Sequence, residues 1–162
     1  ISSPNIESIK KIKEKKILIN PINKNSNYLK VSSLNYSNFN NNDLLLLQEI
    51  KKNIVSLDLS NSNVSDSIFL RLSEFTNLTV LKLNNTKIKG QGIDKLSVLE
   101  NLKRINLVNT EFNVAFLETL TKFKSLEKVY LFQESRNFIA EDILPNDKLD
   151  LFDFGDYKLE DL

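Results

Sequence analysis

The chain has 162 residues, of which 41% are apolar, and its formal net charge is +1. It contains no Cys and no His, which excludes disulfides, thiolate nucleophiles, Ser–His–Asp triads and zinc sites built from these ligands. Its three glycines leave no phosphate-binding loop, so metal-free carboxylate chemistry is the only catalysis left open.

The near-zero net charge conceals an asymmetry along the chain. Residues 1–133 hold 19 Lys and Arg against 12 Asp and Glu, a net of +7, and residues 134–162 hold 3 against 9, a net of −6. Such a split can indicate a basic surface that binds a polyanion beside an acidic tail, but we favour a solvated surface whose two ends complement each other. No RNA- or DNA-binding motif is present, so we predict no nucleic-acid partner. No apolar run reaches the roughly 18 residues that span a bilayer, so we predict no membrane insertion of this segment.

The first predicted unit is an N-terminal cap, residues 1–28. The stretch PNIESIKKIKEKK predicts a helix that buries Ile6, Ile9 and Ile12, and a strand is predicted at residues 17–19. Together they would cover the N-terminal edge of the units that follow. Because the chain opens without Met, we expect it to be part of a longer protein.

The next segment, residues 29–53, reads as a degenerate opening repeat. Leu29, Leu34 and Phe39 fit the start of the pattern that the following segments share. Its helical residues are predicted to be Leu44, Leu47 and Ile50.

Three consecutive segments of equal length, at residues 54–77, 78–101 and 102–125, then repeat one pattern. Each begins as L-x-x-L-x-L-x-x-[ST]-x-[IVF], with Ile replacing Leu at some positions. The matching residues are Ile54, Leu57, Leu59, Ser62 and Val64; Leu78, Leu81, Leu83, Thr86 and Ile88; and Leu102, Ile105, Leu107, Thr110 and Phe112. This is the leucine-rich-repeat signature, whose period lies between about 20 and 29 residues.

In each repeat the alternating start predicts a strand, and the later spacing predicts a helix. The apolar residues at helical spacing are Ile68, Phe69, Leu72 and Phe75; Ile93, Leu96 and Leu99; and Phe116, Leu117, Leu120 and Phe123. Ser65 and Asp66 are predicted to cap the first of these helices. A single unit cannot bury its own apolar face, so we expect the units to stack into one continuous core.

Two polar columns follow the predicted strands. One contains the hydroxyl residues Ser62, Thr86 and Thr110, and the other contains Asn61, Asn85, Asn109 and Gln133. We predict that both columns are structural and bind backbone groups in the bend after each strand.

The pattern closes with a last strand and an acidic cap. In residues 126–137, Leu126, Val129 and Leu131 keep the repeat, and Glu134 and Arg136 break it. Residues 138–162 are predicted as the C-terminal cap. Its acidic series is Asp147, Asp150, Asp153 and Asp156. A calcium site is one interpretation of this series, but it matches no calcium-binding loop, so we favour a strand or turn with its acids facing water and predict no metal site.

The predicted fold is therefore α/β, one structural domain in the form of a right-handed leucine-rich-repeat solenoid. Its 24-residue repeats would form a curved parallel sheet of about five strands. The helices would lie on the convex side, and both ends would be capped.

The run LKLNNTKIKGQGIDKLSVLENLKRINLVNTEF, followed by LEKVYLFQ, resembles the C-terminal leucine-rich repeats of certain membrane proteins from Bacteroidetes and Planctomycetes. The segment INPINKNSNYLKVSSLNY resembles the lead-in to that family's repeats, and GDYKLEDL resembles its end. The resemblance implies a parent protein with a transmembrane region and a c-type cytochrome domain, located in the periplasm or cell envelope. No residue of this chain can hold haem covalently, so haem would belong to other parts of the parent. Phe132 and Glu134 depart from the family's Trp and Thr.

The concave side of the predicted sheet carries the candidate binding residues. Its columns, in chain order, are Val31, Ser56, Val80, Arg104 and Lys128; Ser33, Asp58, Lys82, Asn106 and Tyr130; and Asn35, Ser60, Asn84, Val108 and Phe132. From these we predict a partner-binding patch of Lys82, Arg104, Asn106, Lys128, Tyr130 and Phe132, because cations beside aromatic rings are enriched at interfaces. Asp58 and Lys82 are expected to be lateral neighbours.

We predict a non-catalytic protein-interaction or spacer module, with another protein as the partner. The alternative is a carbohydrate-binding module in which the two aromatic residues stack on sugars, and burial of both rings under the C-terminal cap would eliminate it. Catalysis by paired carboxylates requires two acids in one cleft, and the concave columns supply only Asp58. We predict no enzyme and no cofactor in this segment.

Overall fold

In the part of the chain that the structure describes, seven short strands pair in chain order to form one open sheet. The structure, a computed structural model, describes residues 1–133 and 140–155. The first two strands are antiparallel, and every later neighbouring pair is parallel. The strands are β1 (Leu18–Pro21), β2 (Leu29–Ser32), β3 (Ile54–Asp58), β4 (Val80–Lys82), β5 (Arg104–Asn106), β6 (Lys128–Tyr130) and β7 (Phe152–Asp153).

Helical segments precede the sheet and connect most of its strands. The α-helices are α1 (Ile6–Glu14), α2 (Phe69–Leu72), α3 (Leu117–Leu120) and α4 (Asn146–Leu149). The 3₁₀ helices are Asp43–Asn53, Asp66–Ile68, Ile93–Val98, Val114–Phe116 and Ala140–Asp142. A 3₁₀ helix rises about 2.0 Å per residue, more than an α-helix, so a few residues are enough to connect one strand to the next. The predicted α/β class, with a mostly parallel sheet and helices between its strands, is confirmed.

A constant register aligns strands β3 to β6. Val80 pairs with Ser56 on one side and with Arg104 on the other, and Arg104 pairs with Lys128, so partners occupy equivalent positions in successive repeats. One register position is fully buried in all four strands; its residues are Leu57, Leu81, Ile105 and Val129. Because side chains alternate along a strand, the residues on either side of this position face away from this core.

The opening unit does not follow this register. Leu29 pairs with Ile54, but the pairing shifts between Leu29 and Lys30, so Val31 lies opposite Leu57. Val31 is therefore buried in the core and does not belong to the exposed column in which we placed it, where Lys30 takes its position. Leu34, expected in the core, is 50% exposed. The cause is the register shift, which exchanges the two faces of a strand.

The N-terminal cap contains the predicted helix and strand. Asn5 Oδ1 accepts a hydrogen bond from Ser8 N at 3.1 Å and so caps α1. Ile12 is fully buried, but Ile6 is 80% exposed, so only one face of the short helix reaches the core. β1 extends the sheet by one antiparallel strand. In the part of the chain that the structure describes, no helix has the length and apolar character required to cross a bilayer.

The C-terminal segment adds a seventh strand rather than only covering the last repeat. β7 pairs in parallel with β6, and its Phe152 is buried against the core. Within the described residues the sheet therefore has seven strands and not about five, because both end segments join it. The predicted break at Glu134 and Arg136 and the last acidic residue, Asp156, lie outside the described residues.

Candidate functional site

One face of the sheet packs against the core, and the other is exposed. On strands β4 to β6 the exposed side carries five of the six predicted binding residues, and Phe132 is the second residue after the end of β6. We call this surface the open face; it is formed by Lys82, Arg104, Asn106, Lys128, Tyr130 and Phe132.

The register makes these residues close neighbours. Asn106 pairs with Lys82 on one side and with Tyr130 on the other, and Arg104 pairs with Lys128. Adjacent strands lie about 4.8 Å apart, so the side chains of register partners are in reach of one another. The structure thus brings the six predicted residues into one area that spans three strands and the end of β6.

Both aromatic side chains of the open face are exposed. Tyr130 is 37% exposed and Phe132 is 44% exposed. The C-terminal cap does reach Phe132, because a Cβ atom added to Gly155 would lie only 2.7 Å from its Cδ2 atom. The cap therefore supports the Phe132 ring from one side and leaves much of it accessible.

The cations of the open face differ in their partners. Lys82 Nζ lies 3.3 Å from Asp58 Oδ2, which confirms the predicted lateral pair. Lys128 Nζ donates to the backbone carbonyl oxygen of Asp150 at 3.0 Å. Arg104 makes no ion pair with a carboxylate of the described residues. Its guanidinium is therefore the least compensated charge of the patch.

A second ion pair borders the site. Lys103 Nζ lies 2.6 Å from Glu127 Oε1, and both side chains are about half exposed. The hydrogen bond from Lys103, together with the positive charges of Lys103 and Arg104, lowers the pKa of the Glu127 carboxyl below its ordinary value. The hydrogen bond from Lys103 is the largest of these causes, and the charge of Arg104 is the smallest.

A polar network on β3 was not foreseen. Ser60 Oγ lies 2.5 Å from Asp58 Oδ1 and 2.7 Å from Asn84 Oδ1. It joins the ends of two neighbouring strands and fixes the carboxylate that holds Lys82. The available signal was the two-residue spacing of Asp58 and Ser60, since Asp side chains commonly bind groups two residues further along the chain.

The hydroxyl column after the strands binds backbone groups, as predicted. The hydroxyls of Ser62, Thr86 and Thr110 donate to the carbonyl oxygens three residues earlier, at 2.6, 2.5 and 2.7 Å. In the second column Gln133 Nε2 donates to Leu107 O at 3.1 Å, whereas Asn85 Nδ2 donates to the side chain of Asn61 at 2.9 Å. The asparagines of the second column all have positive φ: 57° at Asn61, 56° at Asn85 and 50° at Asn109. Asn tolerates this left-handed conformation better than other non-glycine residues, which explains its recurrence at the bend.

The acidic series of the C-terminal cap does not form a ligand cluster within the described residues. There, no three carboxylates come close enough together to hold a metal ion. Asp147 lies 3.7 Å from the ammonium of Lys148, and the Asp153 carboxylate accepts a hydrogen bond from Gly155 N at 3.0 Å.

Comparison with known proteins bears on the fold. No family model matches the chain, and no curated protein matches it. Among solved structures, it is similar to "Leiomodin-1 Actin-Binding Site 2 (ABS2)", with a TM-score of 0.56 and 19% sequence identity. The similarity covers 82% of this chain and 83% of the leiomodin chain. At this identity the likeness supports the architecture of the open α/β sheet and leaves the ligand undetermined.

Proposed function

We propose that the chain is a leucine-rich-repeat module whose open face binds another protein. The 24-residue signature and the matching register of β3 to β6 support this repeat class. In a right-handed solenoid of this class the sheet lines the concave side, so the open face would be a concave docking surface.

One observation carries the proposal: Tyr130 and Phe132 are exposed at the C-terminal end of β6, on the face of the sheet that also carries Arg104. Trp, Tyr and Arg are the side chains most enriched at interface hot spots. Tyr buries a large area at a small cost in conformational entropy. Strands hold such side chains more firmly than loops do. The similar leiomodin chain is an actin-binding site, which agrees with a protein as the general kind of partner.

Pull-down with the purified segment, followed by quantitative mass spectrometry, tests the proposal. Tyr130→Ala should lower recovery of a specific partner at least tenfold, an effect that corresponds to about 1.4 kcal/mol or more. Leu70→Ala is the matched control, because Leu70 is 63% exposed on α2, outside the open face. Equal losses in the two variants would contradict binding through the open face.

A carbohydrate ligand is the second candidate, and the exposure of both aromatic rings favours it. Rings of this kind stack on the apolar faces of sugars. A glycan array separates the two candidates. Binding of a defined glycan that Phe132→Ala abolishes would favour the carbohydrate function, and an empty array with an intact protein interaction would favour the first proposal.

We also infer that the module belongs to a larger, membrane-tethered protein of the periplasm or cell envelope with a c-type cytochrome domain. This rests on the sequence resemblance alone. An antibody against the segment, used on membranes of the source cells and followed by haem staining, tests it. A haem-positive band much larger than 18.7 kDa is expected, and a haem-negative band near 18.7 kDa would restrict the resemblance to the fold.

A further inference from the structure

Arg104 and Lys128 carry like charges at paired positions of neighbouring strands. They are register partners on the neighbouring strands β5 and β6, about 4.8 Å apart, and their side chains lie on the same face. Like charges at directly opposed positions of a sheet destabilise it. Side-chain arrangements that cost stability in this way commonly mark functional positions.

The described residues compensate the neighbouring cations but not this pair. Lys82 is held by Asp58 at 3.3 Å, and Lys103 is held by Glu127 at 2.6 Å. Lys128 donates to a backbone carbonyl oxygen, which is uncharged, and Arg104 has no ion pair with a described carboxylate. The position between Arg104 and Lys128 is therefore the place on the open face where an added anion gains most.

A carboxylate, that of Glu127, already lies at the border of this surface. The pKa of the Glu127 carboxyl is lowered first by its hydrogen bond from Lys103 and then by the charges of Lys103 and Arg104. The charge of Arg104 thus contributes to the lowered pKa of Glu127, although the ion pair of Glu127 is with Lys103. A second carboxylate placed on Arg104 directly would form a stronger, charge-assisted hydrogen bond.

An apolar anchor site lies further along the same strand. Tyr130 and Phe132 follow Lys128 by two and four residues and are both exposed. Four residues of extended chain span about 13 Å, and an even spacing keeps side chains on one face of a strand. An extended peptide lying along β6 can therefore place an acidic residue at the cations and an apolar residue, four positions away, at the rings.

We propose that the open face binds an extended acidic segment of the partner protein. Its carboxylate lies between Arg104 and Lys128, and an apolar side chain four residues away packs on Tyr130 and Phe132. The proposal rests on the protein-binding function and names the chemistry of the partner. A continuous polyanion fits less well, because the carboxylate-bearing residues Asp58 and Asp153 lie on the strands that flank β4 to β6.

Fluorescence anisotropy with the full 162-residue chain tests this proposal. The probes are labelled peptides of equal length: one with Glu and Phe four residues apart, one with Lys in place of Glu, one with Gln in place of Glu, and one with Glu and Ala. The first peptide should bind at least tenfold more tightly than the other three, and its affinity should fall as the salt concentration rises. An unlabelled sulfated glycan serves as a competitor.

Arg104→Gln should weaken binding of the Glu–Phe peptide about tenfold, and Tyr130→Ala should have a similar effect. Lys95→Gln is the matched control, since this exposed lysine lies in the 3₁₀ helix Ile93–Val98, away from the open face, and it should leave the affinity unchanged. Arg104→Gln should also be as stable as the unmodified chain or more stable, because it removes a like-charge neighbour. A loss of both stability and binding would assign Arg104 a structural role and overturn the proposal.

The remaining outcomes separate this proposal from the protein-binding function itself. The Glu–Phe and Gln–Phe peptides could instead bind equally well and independently of salt, with Tyr130→Ala abolishing binding of both. This result would overturn the acidic partner and retain the protein-binding function. Displacement of the Glu–Phe peptide by the sulfated glycan at a lower concentration than by unlabelled peptide would favour an anionic carbohydrate instead. Failure of all four peptides to bind, with partner recovery unaffected by Tyr130→Ala, would overturn both proposals.

Discussion

Asp66 Oδ1 accepts a hydrogen bond from the backbone N–H of Gly90 at 3.0 Å, across the boundary between two neighbouring repeats. The same carboxylate also accepts from Lys89 N at 2.8 Å and from Gln91 N at 3.0 Å. We predicted Asp66 as a helix cap of its own repeat. Its side chain instead binds three N–H groups of the following repeat and fixes the loop that leads to the 3₁₀ helix Ile93–Val98.

Replacement of Asp66 should therefore loosen the stacking of the second repeat on the first. We expect Asp66→Ala to lower the free energy of unfolding by about 2–3 kcal/mol, because charge-assisted hydrogen bonds are lost and three N–H groups lose their acceptor. Urea denaturation followed by circular dichroism measures this change. Asp94→Ala is the control, since Asp94 is exposed and should cost at most about 0.5 kcal/mol. Similar losses in the two variants would contradict a special role for Asp66.

Gly90 and Gly92 allow a second prediction, because both have positive φ but only one is enclosed. A Cβ atom at Gly90 would lie 2.7 Å from Phe112 Cε2 and 2.8 Å from Phe116 Cδ2. At Gly92 the nearest atom is the flexible ammonium of Lys95, at 3.2 Å. We expect Gly90→Ala to cost about 2–4 kcal/mol, from backbone strain and overpacking, and Gly92→Ala about 1 kcal/mol, from backbone strain alone.

Thermal and urea denaturation of the two glycine variants check this difference. A near-ultraviolet signal from Phe112 and Phe116 should change in Gly90→Ala and remain the same in Gly92→Ala. If the two variants lose the same stability, the packing of the rings against Gly90 is not as described.

The three central repeats were predictable because one constraint recurs in each of them at the same position. Leu57, Leu81 and Ile105 can occupy equivalent core positions only if the strands stay in register. That register places Asp58 next to Lys82, and the ion pair at 3.3 Å follows from it. The same argument located the six residues of the open face before their contacts were known.

The opening unit was not predictable in the same way. Leu29 pairs with Ile54, but the next residue, Lys30, pairs with Ser56, so Val55 has no partner in β2. The shift therefore lies within the strand itself. The spacing of apolar residues in the sequence shows that this repeat is longer than the others. It does not show at which position the additional residue is inserted. Because side chains alternate, this location decides whether Val31 or Lys30 faces the core.

The exposure of the two aromatic rings could also not be predicted from the sequence. The sequence placed Tyr130 and Phe132 on the open face, but their burial depended on the course of the C-terminal cap. Gly155 approaches one side of the Phe132 ring, and this contact depends on the chain direction after β7. Gly155 has a φ of 73°. A glycine in the sequence can indicate such a turn, but it does not indicate which side chain the turn will approach.

Lys16 offers a third prediction, since it has a φ of 62° at the end of α1. Its N–H donates to Lys13 O at 2.8 Å, as in the left-handed turn that commonly ends a helix. Glycine adopts this conformation without strain, so Lys16→Gly should raise the free energy of unfolding by about 1 kcal/mol. Lys15 has a φ of −82°, so Lys15→Gly should instead lower it by about 0.5–1 kcal/mol. Urea denaturation measures whether each variant raises or lowers the free energy of unfolding. A lower free energy of unfolding in both variants would contradict strain at Lys16.

The pKa of Glu127 gives a prediction for pH dependence. The hydrogen bond from Lys103 is the main reason that this pKa lies below its ordinary value of 4.5. Since the folded-state pKa is the lower one, the ion pair stabilises the fold above the ordinary pKa of Glu, and its contribution is lost as the pH falls through the lowered value. Lys103→Gln should therefore raise the pKa of Glu127, as measured by NMR titration of its side-chain carboxyl carbon. Lys122→Gln, which removes the partner of Glu118 at 3.0 Å, should leave the Glu127 titration unchanged, and identical titrations in both variants would contradict the assigned cause.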